Sequence, residues 1–161
     1  MTNKELAIAS VNTVRGQFHL LVNGLKEEHL SKPSKFTKRT IRGVLAHIII
    51  ATDRAYPMLL EKAKKSKPMP LFFGTALGHY FSYRYSEYAG SRIRFGEMIG
   101  TYEKAHEKLV QLIVKIEDDE WQLTTKLPKP SNRSLTILEL FTYQVPHHFK
   151  VHRDEITKTI S

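Results

Sequence analysis

The sequence predicts an all-α protein, a four-helix bundle with one long crossover between the second and third helices. Apolar residues recur every three or four positions in four long segments, which is the spacing of amphipathic helices. Strand signals are poor throughout, and an aromatic-rich segment with weak periodicity separates the second and third helical segments. The 161 residues, of which 41% are hydrophobic and 25% charged, fit one helical-bundle domain over residues 1–161.

The first helix is predicted over residues 2–25. Thr2 is a suitable N-cap, and Glu5 three residues later completes the capping-box pattern. The apolar stripe of this helix consists of Leu6, Val11, Val14, Phe18, Leu21, Val22 and Leu25. Residues 27–38 are polar and contain Pro33, so they are predicted to connect the first helix to the second.

The second helix begins near Thr40 and ends in the basic run that closes at Lys67, a charge that suits a helix C-terminus. Its stripe consists of Ile41, Val44, Leu45, Ile48, Ala51, Ala55 and Leu59. Pro57 lies inside this segment and is expected to kink the helix or to end its first half. Residues 68–90 form the crossover, which is predicted to be a long connection with one or two short helices.

The third helix is predicted over residues 91–117. The acidic residues that follow are expected to leave the helix and to pack Trp121, the only tryptophan, against the bundle. Residues 128–132 form a loop, and Ser134 caps a last helix that runs from residue 135 to about residue 158.

The chain has no cysteine, which excludes disulfides, cysteine-ligated zinc and a cysteine nucleophile, and fits a cytoplasmic protein. The N-terminus lacks a signal-peptide pattern, and no apolar run approaches the ~20 residues of a membrane span, so no membrane partner is expected. The formal net charge of +9 raises nucleic acid or an anionic small molecule as partners. Because the basic residues are dispersed, a solvated surface is the stronger interpretation, and nucleic acid is the weakest.

His148 and His152 are the only two of the eight histidines that lie four residues apart. This spacing places both imidazoles on one helix face and suits two ligands of one metal ion. They continue the inner stripe of the last helix, which consists of Leu138, Phe141, Val145, His148, His152 and Glu155. Burying two stacked imidazoles is costly without a shared partner, and a metal ion is the simplest one. Pro146 is expected to kink this helix, either aiming the histidines inward or simply bending the helix around the bundle.

A third ligand must come from another helix, and His47, at the edge of the second helix's apolar stripe, is the best candidate. The predicted metal site therefore consists of His47, His148 and His152. His106 is assigned to packing or a surface hydrogen bond, and His147 should face about 100° away from His148. Asp53 could hydrogen-bond to a ligand histidine. The stronger interpretation is that it is a solvated carboxylate. The crossover aromatics either form a pocket wall or cover the core.

These segments resemble the DinB-like superfamily of four-helix bundles, which includes maleylpyruvate isomerase-type and bacillithiol transferase-type proteins. Residues 40–48 (TIRGVLAHI) are similar to the family's second helix with its first ligand histidine. Residues 148–153 (HFKVHR) are similar to the H-x-x-x-H-R signature of the family's last helix. Two positions differ: Glu155 stands where the family often has Gln, and Phe36 where it often has Trp. Glu155 could join the site or face water.

The resemblance implies a three-histidine site for a divalent metal ion, zinc or nickel first and iron next, with open positions for water or substrate. In the resembled S-transferases a low-molecular-weight thiol attacks an electrophile. Because this chain has no cysteine, any thiol must arrive as a cosubstrate, and Arg153 or Lys150 could attract its carboxylates.

The first functional hypothesis is a metal-dependent, thiol-using S-transferase or a related stress or detoxification enzyme. The alternatives are a metal-stabilised binding module without catalysis and, less favoured, a basic nucleic-acid-associated stress protein. A homodimer is one option for the assembly.

Overall fold

The computed structural model describes all 161 residues and contains five helices and one small β-hairpin. Helices α1, α3 and α4 are each continuous, whereas α2 and α5 each contain a π-helical turn. The helices are α1 (Asn3–Asn23), α2 (Ile41–Ile50, π turn Ala51–Ala55, Tyr56–Lys64), α3 (Ala76–Arg92), α4 (Met98–Val114) and α5 (Ile137–Glu139, π turn Leu140–Gln144, Val145–Ile160). The remaining elements are the 3₁₀ turns Glu27–His29, Leu71–Gly74 and Phe95–Glu97 and the strands β1 (Thr124–Lys126) and β2 (Ser134–Thr136).

Helices α1, α2, α4 and α5 surround one core of 30 buried apolar residues, and α3 packs against the outside of α2. The predicted four-helix bundle with a long crossover between the second and third bundle helices is confirmed. The predicted capping box at the start of α1 is also confirmed, because Thr2 Oγ1 accepts from the Glu5 amide and Glu5 accepts from the Thr2 amide. No helix is both long and apolar enough to cross a membrane.

Pro57 neither ends α2 nor separates its halves, and the structure gives the reason. A proline has no amide hydrogen to donate within a helix. In α2 a π turn precedes the proline, and the Tyr56 amide donates to the Ala51 carbonyl five residues back. The same device precedes Pro146 in α5, where the Val145 amide donates to the Leu140 carbonyl. Both helices therefore continue past their prolines, because the backbone hydrogen bonds just before each proline span five residues instead of four.

The crossover contains a helix of 17 residues, α3, and not the one or two short helices expected. Its outer face is also aromatic, which weakens the periodicity that a surface helix normally shows. Gly90 lets α3 approach α2 closely, because a Cβ there would lie 3.0 Å from the Arg42 carbonyl oxygen. Glu87 of α3 accepts from the Thr40 amide at 2.8 Å and so helps to cap α2. These contacts fix α3 beside the first half of α2.

The third bundle helix, α4, begins at Met98, later than expected, because the Phe95–Glu97 turn precedes it. Strands β1 and β2 were not predicted: they pair antiparallel over three residues each, too few for a visible alternation. Ser134 therefore lies in a strand, and Thr136 caps α5 in its place, with Glu139 completing a capping box. Trp121 is 1% exposed against the bundle, as expected.

Candidate metal centre

Three imidazoles from two facing helices meet between those helices. His47 lies on α2, and His148 and His152 lie one turn apart on α5. The Nε2 atom of His148 is 3.1 Å from the Nε2 atoms of both His47 and His152. All three candidate donor atoms lie within 4.8 Å of one another. The structure therefore brings together the three histidines that the sequence selected, in an arrangement that could hold one metal ion.

The pattern of α5 explains how its two histidines reach the interior. Val145, Phe149 and Ile156 are buried, and they anchor this part of the helix in the core. His152 lies on the same side and is 7% exposed, while His148 is partly buried. The neighbouring His147 is exposed and stacks on Tyr143, as its position on the helical wheel predicted. The four-residue spacing thus places His148 and His152 inside the bundle and leaves His147 on the surface.

Glu155 fixes the orientation of His152, since its Oε2 lies 2.9 Å from His152 Nδ1. The other carboxylate oxygen accepts from the Ser34 and Thr37 hydroxyls and, at 3.1 Å, from the Thr37 amide. Burial alone would raise the pKa of Glu155, but the hydrogen bonds from His152, Ser34 and Thr37 together lower it to about 2. The carboxylate is therefore ionised and accepts the Nδ1 proton of His152. Glu155 therefore does not face water: it is buried and hydrogen-bonds to His152.

Tyr56 plays the corresponding part for His148, because its hydroxyl lies 2.7 Å from His148 Nδ1. The ring of Tyr56 is buried, and burial raises the pKa of its hydroxyl, which stays protonated. Tyr56, Ser34 and Thr37 were not predicted as part of the site. Tyr56 is nine residues from His47 on the same helix, and the two hydroxyl residues lie in the 27–38 connection, so no local spacing signals them.

Burial and mutual repulsion keep the His47 and His148 imidazoles neutral. Burial, followed by the neighbouring His152 and Arg39, lowers the pKa of His148 to about 3. Burial, His148 and His152 similarly hold the pKa of His47 well below its usual value. Neutral imidazoles keep the nitrogen lone pairs that a metal requires.

Two of the three separations between the donor atoms match the spacing of ligands on one divalent ion. Two nitrogens that each lie about 2.0–2.1 Å from one ion are separated by roughly 3.0–3.4 Å, depending on the coordination angle. The 3.1 Å separations from His148 Nε2 fall in that range.

Other residues singled out in the sequence lie outside this cluster. Asp53 forms an ion pair with Lys108 of α4 at 3.0 Å, so it supports no ligand and has its expected surface role. His106 is buried beside Tyr102 and packs in the bundle, as assigned. Lys150 and Arg153 both pair with Asp154, which reduces their availability for a cosubstrate carboxylate.

A mostly apolar cavity of about 570 Å³ adjoins the histidines. His47 and His148 form its polar end, and the other side chains able to form hydrogen bonds are those of Arg54, Tyr56, Ser82, Tyr85 and Gln144. Its remaining wall is apolar, and aromatic residues of the crossover contribute Phe72, Phe73, Phe81 and Tyr85. Of the two interpretations of these aromatics, the pocket wall is the one that the structure shows. No carboxylate lines the cavity, which matters for the chemistry that it can support.

Solved structures with similar folds include YfiT from Bacillus subtilis, described as "a probable metal-dependent hydrolase with an unusual four-helix bundle topology". Its TM-score is 0.67 at 14% identity, over 98% of this chain and 87% of that one. The mycothiol-dependent maleylpyruvate isomerase is also similar, with a TM-score of 0.72 at 12% identity. A mutant of that isomerase gives a TM-score of 0.71. The alignment covers 97% of this chain but only 63% of the isomerase.

No family model and no curated protein matches the sequence. At identities of 12–14% the likeness concerns the fold, which agrees with the resemblance carried by residues 40–48 and 148–153. The chain shares the four-helix-bundle fold of these solved structures.

Proposed function

We propose that His47, His148 and His152 bind one divalent metal ion, zinc or nickel first and iron next, in an enzyme that transfers a low-molecular-weight thiol to an electrophile. The observation that carries this proposal is the convergence of three imidazoles, of which His47 and His148 line one end of a mostly apolar cavity. The three ligands would leave the charge of the ion uncompensated and its remaining positions open toward the cavity. Such an ion is a Lewis acid that lowers the pKa of a bound thiol or water.

The residues of the chain would have distinct tasks in this reaction. Glu155 and Tyr56 hold two of the imidazoles through their Nδ1 atoms, which directs the Nε2 atoms to a common point. The apolar cavity wall would exclude water and bind the electrophile beside His47 and His148. The thiol would lose its proton to solvent, and its sulfur would form the new bond to the electrophilic carbon while the leaving group, such as chloride, departs from that carbon with the bonding electron pair.

Two observations favour thiol transfer over hydrolysis of a bound substrate. A hydrolase that activates water commonly places a carboxylate base beside it, and none lines this cavity. A thiol needs no such base once its pKa is lowered, because the thiolate is itself a strong nucleophile. The isomerase of similar fold is described as mycothiol-dependent, which supports a thiol cosubstrate. The metal-stabilised binding module remains the competing function, and it predicts bound metal without turnover.

A thiol-conjugation assay tests the proposal. The metal-loaded protein is mixed with chlorodinitrobenzene and, in turn, glutathione, cysteine and a cysteinyl sugar thiol, and thiol consumption is followed. We expect consumption above the uncatalysed rate with at least one thiol. It should be lost after chelation and in His148→Ala, and retained in His147→Ala, which changes an exposed histidine next to the site. Metal binding with no thiol consumption would assign the protein to the binding-module function. Ester hydrolysis that requires no thiol would instead favour a hydrolase.

A further inference from the structure

The exposed apolar side chains of this protein are concentrated on one surface. Eight of the fifteen exposed large hydrophobic residues lie between positions 71 and 88. We call this surface the aromatic face, and it consists of Leu71, Phe72, Phe73, Leu77, Tyr80, Phe81, Tyr85 and Tyr88. Scattered exposed hydrophobic residues are normal on any protein, but a contiguous patch indicates an interaction site.

The aromatic face is continuous. On α3, Leu77, Phe81 and Tyr88 follow one another at helical spacing along one side. The preceding 3₁₀ turn joins this side, since the ring centroids of Phe72 and Phe81 are 6.1 Å apart and those of Phe72 and Phe73 are 5.9 Å apart. Gly78 permits this junction, because a Cβ there would collide with the Phe72 carbonyl. One rigid ridge therefore presents all eight side chains.

The segment that contains the aromatic face is positively charged. Residues 62–94 contain seven Lys and Arg residues and a single acidic residue, Glu87. Lys64 and Lys65 form ion pairs with Glu120 and Glu61, and the other five basic residues form none. The Glu87 carboxylate accepts from Thr40 at the start of α2, so it is engaged within the protein. Arg84 is exposed on α3 between Phe81 and Tyr88, and Arg92 lies over the Tyr88 ring at 5.4 Å. The partner of this surface must therefore have an apolar interior and a negatively charged boundary.

We infer that the aromatic face docks on the surface of an anionic lipid bilayer. Tyr and Phe side chains are favourable at headgroup depth, and basic residues near an anionic membrane are attracted to its surface charge. A second copy fits this surface less well, because a symmetric dimer would place the same positive segment against itself. The sequence led us to expect no membrane partner because it contains no membrane-spanning segment. Peripheral binding to a membrane surface does not require a spanning segment.

The cavity beside the histidines reaches the same surface. Phe72, Phe73, Phe81 and Tyr85 each line the cavity and are each exposed, so they form its mouth within the aromatic face. A protein docked through this face would hold the cavity mouth against the bilayer. If the protein has the proposed transferase function, its electrophilic substrates are then apolar molecules dissolved in the membrane. Docking itself is measured without turnover, so the two proposals can fail separately.

Vesicle cosedimentation of the full chain tests the docking. One set of vesicles is pure phosphatidylcholine, and in the other a third of the lipid is phosphatidylglycerol. The double variant Leu71→Ser/Leu77→Gln removes two exposed side chains of the aromatic face that do not line the cavity. Leu20→Gln is the matched control, because Leu20 is 75% exposed on α1, outside the aromatic face. Arg84→Glu tests the charge.

We expect wild type and Leu20→Gln to sediment with the anionic vesicles, and the double variant and Arg84→Glu to bind at least about tenfold more weakly. Binding should also weaken as the salt rises from about 50 to 500 mM, which shortens the screening length. Equal binding to both vesicle types, unchanged binding of the double variant, or no binding by wild type would overturn the inference. Light scattering gives the remaining outcome: a wild-type dimer that the double variant converts to a monomer would assign this face to a second copy.

Discussion

The Nδ1 atom of His152 lies 2.9 Å from Oε2 of Glu155, one turn later on α5. An ionised carboxylate can only accept hydrogen bonds, so His152 carries a proton on Nδ1 and Nε2 is the nitrogen left to act as a metal ligand. That Nε2 atom lies 3.1 Å from His148 Nε2. One hydrogen bond at the edge of the site thus prepares the nitrogen that would bind metal.

This relationship predicts a graded response to changes at Glu155. Glu155→Ala removes the acceptor for His152 and should weaken metal affinity by about 10- to 100-fold. Glu155→Gln keeps a carbonyl acceptor but loses the charge, so its effect should be smaller. A chelator-competition titration of both variants measures the affinities. Equal affinity in wild type and Glu155→Ala would show that this contact does not prepare His152 for a metal.

Tyr56→Phe should separate orientation from packing at His148. The variant keeps the buried ring and loses the hydroxyl that lies 2.7 Å from His148 Nδ1. We expect metal affinity to fall severalfold, while the free energy of unfolding of the metal-free protein changes by no more than about 1.5 kcal/mol. Tyr143→Phe is the control, since Tyr143 is exposed and contacts only the outer His147 among the α5 histidines. Unchanged affinity in Tyr56→Phe would contradict the orienting role.

The metal-free protein should lose stability in mild acid. The pKa of His148 is about 3 in the folded protein, against an ordinary value of 6.5, so the unfolded chain binds more protons between those values. Glu155 acts in the same direction below pH 4.5, since its folded pKa is about 2. The free energy of unfolding should therefore fall by roughly 2 kcal/mol or more from pH 7 to 4.5.

Urea unfolding in the presence of a chelator measures this loss at both pH values. His148→Gln removes the titrating imidazole, so its stability should depend less on pH than that of wild type. An equal pH dependence in the two proteins would assign the loss to other groups.

The close approach of α3 to α2 can be tested with two glycines. A Cβ at Gly90 would lie 3.0 Å from the Arg42 carbonyl oxygen, whereas nothing lies within 4 Å of a Cβ at Gly100 of α4. Gly100→Ala should raise the free energy of unfolding by about 0.5–1 kcal/mol through helix propensity. Gly90→Ala should lower it by about 1 kcal/mol or more, because backbone atoms must move. Thermal or urea unfolding compares them, and stabilisation by both substitutions would show that Gly90 does not set the α2–α3 distance.

Periodicity predicted the four bundle helices because each buries a stripe against the same core, as Val11, Val14 and Phe18 do on α1. It could not predict α3, whose outer face is aromatic as well, or the hairpin, whose strands have three residues each. The π turns could not be predicted either. The sequence shows where the prolines are, but not that the backbone hydrogen bonds before them span five residues instead of four.

The three histidines could be selected because two share a helix face and the third lies on another apolar stripe. The groups that hold them were harder to predict. Glu155 was identifiable from its three-residue spacing to His152, but Ser34, Thr37 and Tyr56 reach the site only through tertiary packing. The pocket wall depends in the same way on the placement of α3 against α2.

Metal content is the most direct test of the central claim that His47, His148 and His152 form a metal site. Tag-free wild type, His148→Ala and His147→Ala are incubated with zinc, nickel or iron, desalted and measured by mass spectrometry. We expect about one ion per chain in wild type and His147→Ala, and none in His148→Ala. No ion in wild type, or an ion retained by His148→Ala, would contradict it.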